Sequence, residues 1–107
     1  MKWVAVCQAS ELGDDPLGVR AEARDIVLYK VDGAVFATEA QCTHGNASLC
    51  DGYLEGHEIE CPLHQGRFDI RTGKALCEPL TSDLKTFPVT LLDGRITVGI
   101  ADSQDGL

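Results

Sequence analysis

Basic residues are scarce in this chain, and no long apolar run is present. Lysine and arginine total 9 against 17 aspartate and glutamate residues, a net charge of −8 at pH 7. That balance argues against nucleic-acid binding, which needs a basic surface. The apolar stretch at 3–7 is too short for a signal peptide, and no run approaches the roughly twenty residues of a membrane span. We therefore expect a cytoplasmic protein that binds neither nucleic acid nor membrane.

Histidine is also rare, with 3 in the chain, whereas cysteine is present at the odd count of 5. An odd count in a cytoplasmic chain argues against a disulfide scaffold and favours metal binding or catalysis for some of the thiols. The length of 107 residues suits one domain, which we place at 1–107.

Short apolar runs separated by turn signals predict an all-β fold. Asp32-Gly33 and Asp93-Gly94 each lie between two such runs, the strongest short-range signal for a β-hairpin. Glycine and proline interrupt the segment 10–23 and make a helix there a weak prediction. The pattern favours an antiparallel sandwich or barrel, with predicted strands at 3–6, 25–31, 34–40, 58–61, 67–70, 85–92 and 95–100.

Two motifs combine cysteine with histidine: Cys42-Thr-His44-Gly and Cys61-Pro-Leu-His64. Thiolate and imidazole are ligands for Zn and for iron–sulfur centres, so the four residues fit either one tetrahedral Zn or a [2Fe–2S] cluster. Paired Zn ligands usually have two to four residues between them, whereas Cys42 and His44 have only one. The spacing favours the cluster and leaves a structural Zn site as the alternative.

C-T-H-G with C-P-L-H-Q-G-R-F resembles the cluster-binding motif of Rieske-type ferredoxins, and the similarity extends over 28–79. The relatives it resembles are ferredoxin components of bacterial aromatic-ring-hydroxylating dioxygenases, the naphthalene dioxygenase group above all. The resemblance implies an antiparallel Rieske-type β-sandwich of three sheets, with a small cluster-binding subdomain whose loops fall at about 41–69. It also implies that Cys42, His44, Cys61 and His64 hold one [2Fe–2S] cluster per chain.

The same resemblance implies a soluble one-electron carrier. Such a ferredoxin takes electrons from a flavin-containing, NAD(P)H-dependent reductase and delivers them to a terminal oxygenase with its own Rieske centre. A mononuclear oxygenase iron would need two more histidines, and only His57 is left. We therefore expect no substrate site and no catalytic residue, and from size and role a monomer. A Rieske subunit of another enzyme, such as a nitrite reductase, is a further alternative; a thiol enzyme is disfavoured.

Four positions bear on the reduction potential. Rieske proteins of respiratory complexes carry a cysteine pair and two hydroxyl residues near the cluster, where this chain has Ala47, Leu63, Gly66 and Phe68. Fewer hydrogen-bond donors stabilise the reduced, negative cluster less, so we predict a midpoint of about −150 mV, at the low end for His-ligated clusters.

Other side chains receive simpler interpretations. We expect Pro62 and Leu63 to form an exposed apolar contact surface beside the cluster, with packing of Leu63 beneath its loop as the alternative. Arg67 should pair with Asp69, Asp51 or another acid, within a collar of five acids between Cys42 and Ile70. Cys7, Cys50 and Cys77 are expected to be buried or partly buried thiols without an assigned role. We expect His57 in a solvated turn and Trp3 in the core.

Overall fold

The computed structural model describes residues 1–42, 47–63, 66–76 and 83–101, and antiparallel strands dominate them. No α-helix occurs in these ranges; two short 3₁₀ helices lie at Ala9–Glu11 and Leu49–Asp51. The strands are β1 (Lys2–Gln8), β2 (Leu17–Ala21), β3 (Arg24–Val31), β4 (Ala34–Glu39), β5 (Tyr53–Glu55), β6 (Glu58–Glu60), β7 (Arg67–Asp69), β8 (Thr86–Phe87), β9 (Val89–Leu92) and β10 (Arg95–Ile100).

These strands form three sheets, and each strand pairing is antiparallel. The first sheet has the order β1-β10-β9, the second β2-β3-β4-β8 and the third β5-β6-β7. Strands β4 and β8 pair with each other, so the chain between them, which contains the third sheet, is an insertion between two paired strands. The predicted all-β, antiparallel sandwich of three sheets is confirmed.

The second sheet is the middle layer, and β3 shows why. Ile26 and Leu28 belong to the hydrophobic core shared with the first sheet, whereas Val27 and Tyr29 belong to the core shared with the third. All four side chains are fully buried. A strand covered on both faces reads as a continuous apolar run instead of an alternating one, and this explains the stretch IVLY.

Both predicted Asp-Gly hairpins are present. Asp32 and Gly33 have φ of 51° and 81°, and Asp93 and Gly94 have φ of 54° and 76°. Two positive φ angles in a two-residue turn match the right-handed twist of the flanking strands, and Asp-Gly adopts them readily. These turns join β3 to β4 and β9 to β10.

Three features of the strand prediction were wrong or incomplete. Strand β2 was missed because its hairpin turn uses Glu22 and Ala23 at positive φ in place of a glycine pair. The short strand β5 was also missed. The predicted strand 85–92 is two strands, since Pro88 lacks the N–H that a ladder needs, and the chain crosses there from the second sheet to the first. None of the described residues lies in a helix long and apolar enough to cross a bilayer.

Candidate metal centre

Two loops of equal length carry the predicted cysteine ligands. The first ligand loop (42–47) is closed by the Cys42 N–H, which donates to the Ala47 carbonyl oxygen at 2.9 Å. The second ligand loop (61–66) is closed in the same way by the Cys61 N–H and the Gly66 carbonyl, at 2.8 Å. Each loop therefore begins at a cysteine and ends five residues later, at the residue whose carbonyl oxygen accepts the hydrogen bond from that cysteine's N–H.

A strand pairing lies directly outside each closing bond. Beside the first ligand loop, Gln41 and Ser48 form an isolated antiparallel bridge. The second ligand loop connects β6 to β7, whose last pair is Glu60 and Arg67. Both cysteines are therefore placed by hairpin geometry, which fixes the backbone at the base of each loop.

Both cysteine side chains are buried in one apolar cluster. Cys42 and Cys61 are each 1% exposed and pack in the core that also contains Leu49, Ile59 and Phe68. Thiolates are soft ligands suited to Zn or iron–sulfur centres, and an apolar shell controls solvent access to such a centre. Two buried thiols that come from two loops into one dry core fit a [2Fe–2S] cluster that takes ligands from both.

The two predicted histidine ligands, His44 and His64, lie outside the described residues, and so does Cys77. Within the described ranges no group of three His, Cys, Asp or Glu side chains could hold a metal ion. Half of the predicted ligand set lies outside these ranges, so the complete four-residue site stays a prediction.

Pro62 and Leu63 lie at the surface of the second ligand loop. Leu63 is 63% exposed, so the alternative that it packs beneath its loop is wrong. Its neighbour in the loop, Cys61, is buried at the same time. The second ligand loop therefore combines a buried ligand position with an exposed apolar tip.

The predicted acidic collar is partly neutralised by Arg67, which pairs with other acids of the collar instead of the two named for it, Asp69 and Asp51. Asp69 pairs instead with Arg71, through two side-chain hydrogen bonds of 2.9 and 3.0 Å. These bonds hold the pKa of the Asp69 carboxyl below its ordinary value. Arg67 contacts Glu55, Glu58 and Glu60 at 3.7, 3.4 and 3.2 Å. The hydrogen bond to Glu58 and the charge of Glu60 raise its guanidinium pKa, so it stays charged.

The expectation of a solvated His57 was wrong. Its ring packs edge-on against Phe36 of β4, with the centroids 5.6 Å apart and the planes at 86°. Its carbonyl oxygen accepts a hydrogen bond of 2.9 Å from the Ile70 N–H. His57 therefore joins the β5–β6 turn to the middle sheet. Because Phe36 is distant in sequence, no local signal could reveal this contact.

The remaining expectations have mixed outcomes. Cys7 and Cys50 are half-buried, as predicted. The Cys50 N–H donates to the Ser48 hydroxyl at 3.3 Å, and the two side chains are in hydrogen-bond contact at 3.0 Å. Trp3 is 50% exposed on an edge strand, so its assignment to the core was wrong. The buried contact between Tyr29 and Thr38, with hydroxyls 2.9 Å apart, was missed.

Comparisons with known proteins add independent information. The model of the family described as "Rieske [2Fe-2S] domain" matches residues 2–88. The ferredoxin component of the naphthalene 1,2-dioxygenase system of Pseudomonas putida is 51% identical over 102 residues, which cover 94% of this chain and 98% of the relative.

Two solved structures extend the similarity to three dimensions. The ferredoxin of Sphingomonas yanoikuyae B1 superimposes with a TM-score of 0.88 at 43% identity, covering 94% of this chain and 100% of the other. A ferredoxin solved in complex with its oxygenase, from carbazole 1,9a-dioxygenase, gives a TM-score of 0.83 at 40% identity, with 90% and 91% covered.

Proposed function

This chain belongs to the Rieske [2Fe-2S] family, and on that basis we propose that it is the ferredoxin of an aromatic-ring dioxygenase system. It carries single electrons from an NAD(P)H-dependent flavin reductase to a terminal oxygenase that has its own Rieske centre. It is not an enzyme, because the ring substrate is bound and oxidised by the oxygenase. Its cytoplasmic location and its monomeric state are part of the same proposal.

One cluster per chain would be held by four residues, the thiolates of Cys42 and Cys61 and the imidazoles of His44 and His64. When bound, a [2Fe–2S] cluster supplies reversible one-electron transfer at a potential raised by its two neutral imidazole ligands. Support comes from the two cysteines, which are buried in one apolar cluster and held by loops with equivalent closing hydrogen bonds. This observation carries the proposal.

Two sets of residues surround the proposed cluster: buried residues that exclude water and exposed residues that can contact a partner. Leu49, Ile59 and Phe68 are fully buried around the cysteines and keep water from the thiolate side. Pro62 and Leu63 are exposed on the second ligand loop and offer apolar surface to a partner. An electron carrier needs such a combination, because its partners must approach the redox centre closely and then leave. We assign this surface to contact with the oxygenase.

The test uses the visible and low-temperature EPR spectra of the purified protein, oxidised and then reduced with dithionite. We expect a red-brown oxidised form, a rhombic signal on reduction, and two irons per chain. His44→Ala and His64→Ala should each abolish this centre. His57→Ala is the matched control and should retain it, because His57 packs on Phe36. A colourless protein with one bound Zn would instead establish the structural-zinc alternative.

A further inference from the structure

Arg67 occupies a special position relative to the second ligand loop. It is the first residue of β7, and its cross-strand partner Glu60 is the last residue of β6. The two residues therefore form the pair that closes the loop containing Cys61 and His64. The next backbone pairing toward the loop is the hydrogen bond between the Cys61 N–H and the Gly66 carbonyl oxygen.

Three carboxylates lie around the Arg67 guanidinium on the outer face of the third sheet. Glu58 and Glu60 alternate along β6 and so point to the same face, and Glu55 is the cross-strand partner of Glu58. On the opposite face, Ile59 and Phe68 are paired and fully buried. Among the described residues, only Arg67 forms ion pairs with these three carboxylates.

The contacts differ in strength along the network. Glu60 is the most protected carboxylate, with 24% of its side chain exposed, and is the nearest at 3.2 Å. Glu58 is intermediate at 3.4 Å and 46% exposed, and Glu55 is peripheral at 3.7 Å and 84% exposed. An isolated surface pair contributes little, but several charges in one network contribute more. Without Arg67, three like charges would lie on one face of the third sheet, with Glu60 at the base of the loop and Glu55 and Glu58 beside the β5–β6 turn.

We propose that Arg67 is a positioning residue for the cluster: by holding Glu60 and Glu58 together it fixes the base of the second ligand loop and thereby the placement of Cys61. The planar guanidinium suits this role because its separate N–H groups reach two carboxylates at once, which a lysine ammonium does not reproduce. The assignment rests on the proposed function in one respect only, namely that Cys61 is a ligand.

The first experiment measures hydrogen–deuterium exchange by mass spectrometry in the cluster-loaded protein, comparing Arg67→Gln with the wild type. We expect about three- to tenfold faster exchange in the peptide that contains the Cys61 amide, the range for losing a partly exposed charge-assisted contact. The peptide that contains the Cys42 amide is the internal reference and should be unchanged. Release of iron to a chelator should accelerate by a similar factor.

Arg71→Gln is the matched control. It removes the same charge from the chain but breaks the ion pair with Asp69 at the far end of β7 and leaves the Arg67–Glu60 contact in place. Arg67→Lys keeps the positive charge, so its midpoint potential should equal that of the wild type, but only part of the protection at Cys61 should return. Equal acceleration in Arg71→Gln, equal acceleration at both loops, or wild-type exchange in Arg67→Gln would overturn the proposal. If the wild type binds no [2Fe–2S] cluster, the proposed function fails, while the exchange comparison still tests whether Arg67 holds the loop.

Discussion

Replacement of Leu63 by lysine tests whether electrons leave through the tip of the second ligand loop. Complete burial of a leucine side chain stabilises by about 1.5–3 kcal/mol. With 63% of Leu63 exposed in the free chain, a partner could recover about 1–2 kcal/mol by covering it. Leu63→Lys should therefore weaken docking by about 5- to 25-fold. The substitution lies on exposed surface, so the fold and the cluster should be retained.

The assay follows reoxidation of the dithionite-reduced protein by the oxygenase of the Pseudomonas putida naphthalene 1,2-dioxygenase system, at several oxygenase concentrations. The concentration for half-maximal rate should rise in Leu63→Lys, while the visible spectrum stays that of the wild type. Leu92→Lys is the control, because Leu92 is 62% exposed but lies on β9 of the first sheet. Unchanged transfer in Leu63→Lys, or equal slowing in Leu92→Lys, would refute the contact surface.

Two further predictions concern backbone geometry and redox tuning. Gly33 and Gly73 have nearly the same φ, 81° and 82°, but a Cβ at Gly33 would meet open space, whereas one at Gly73 would overlap the Leu84 carbonyl oxygen. Gly33→Ala should lower the free energy of unfolding by about 1 kcal/mol, and Gly73→Ala should lower it by about 2–4 kcal/mol. The difference should appear as faster thermal bleaching of the visible spectrum in Gly73→Ala. Equal bleaching rates in the two variants would contradict the steric argument. The midpoint potential should lie near −150 mV by potentiometric titration, because Gly66 and Phe68 have no side-chain hydroxyl to donate to cluster sulfur; a value above about +100 mV would refute it.

Local sequence signals anticipated the parts of the site that depend on residue type and spacing. The two Cys/His motifs predicted ligand positions in both loops, and the structure places Cys42 and Cys61 in one buried cluster. Arg67 was expected to pair with Asp69, Asp51 or another acid, and the β6–β7 register, which places it opposite Glu60, decided for other acids. The alternation of Glu58 and Glu60 correctly predicted a strand there, but it does not indicate with which residues that strand pairs.

Strand content and the Asp-Gly hairpins follow from short-range physics, since turn residues and apolar runs act over a few positions. The all-β class and the location of the candidate centre could therefore be predicted from the sequence alone. Layer order, the contact of His57 with Phe36 and the exposure of Trp3 were decided by packing between distant segments. Such contacts depend on which faces meet once three sheets stack, and no window of neighbouring residues contains that information.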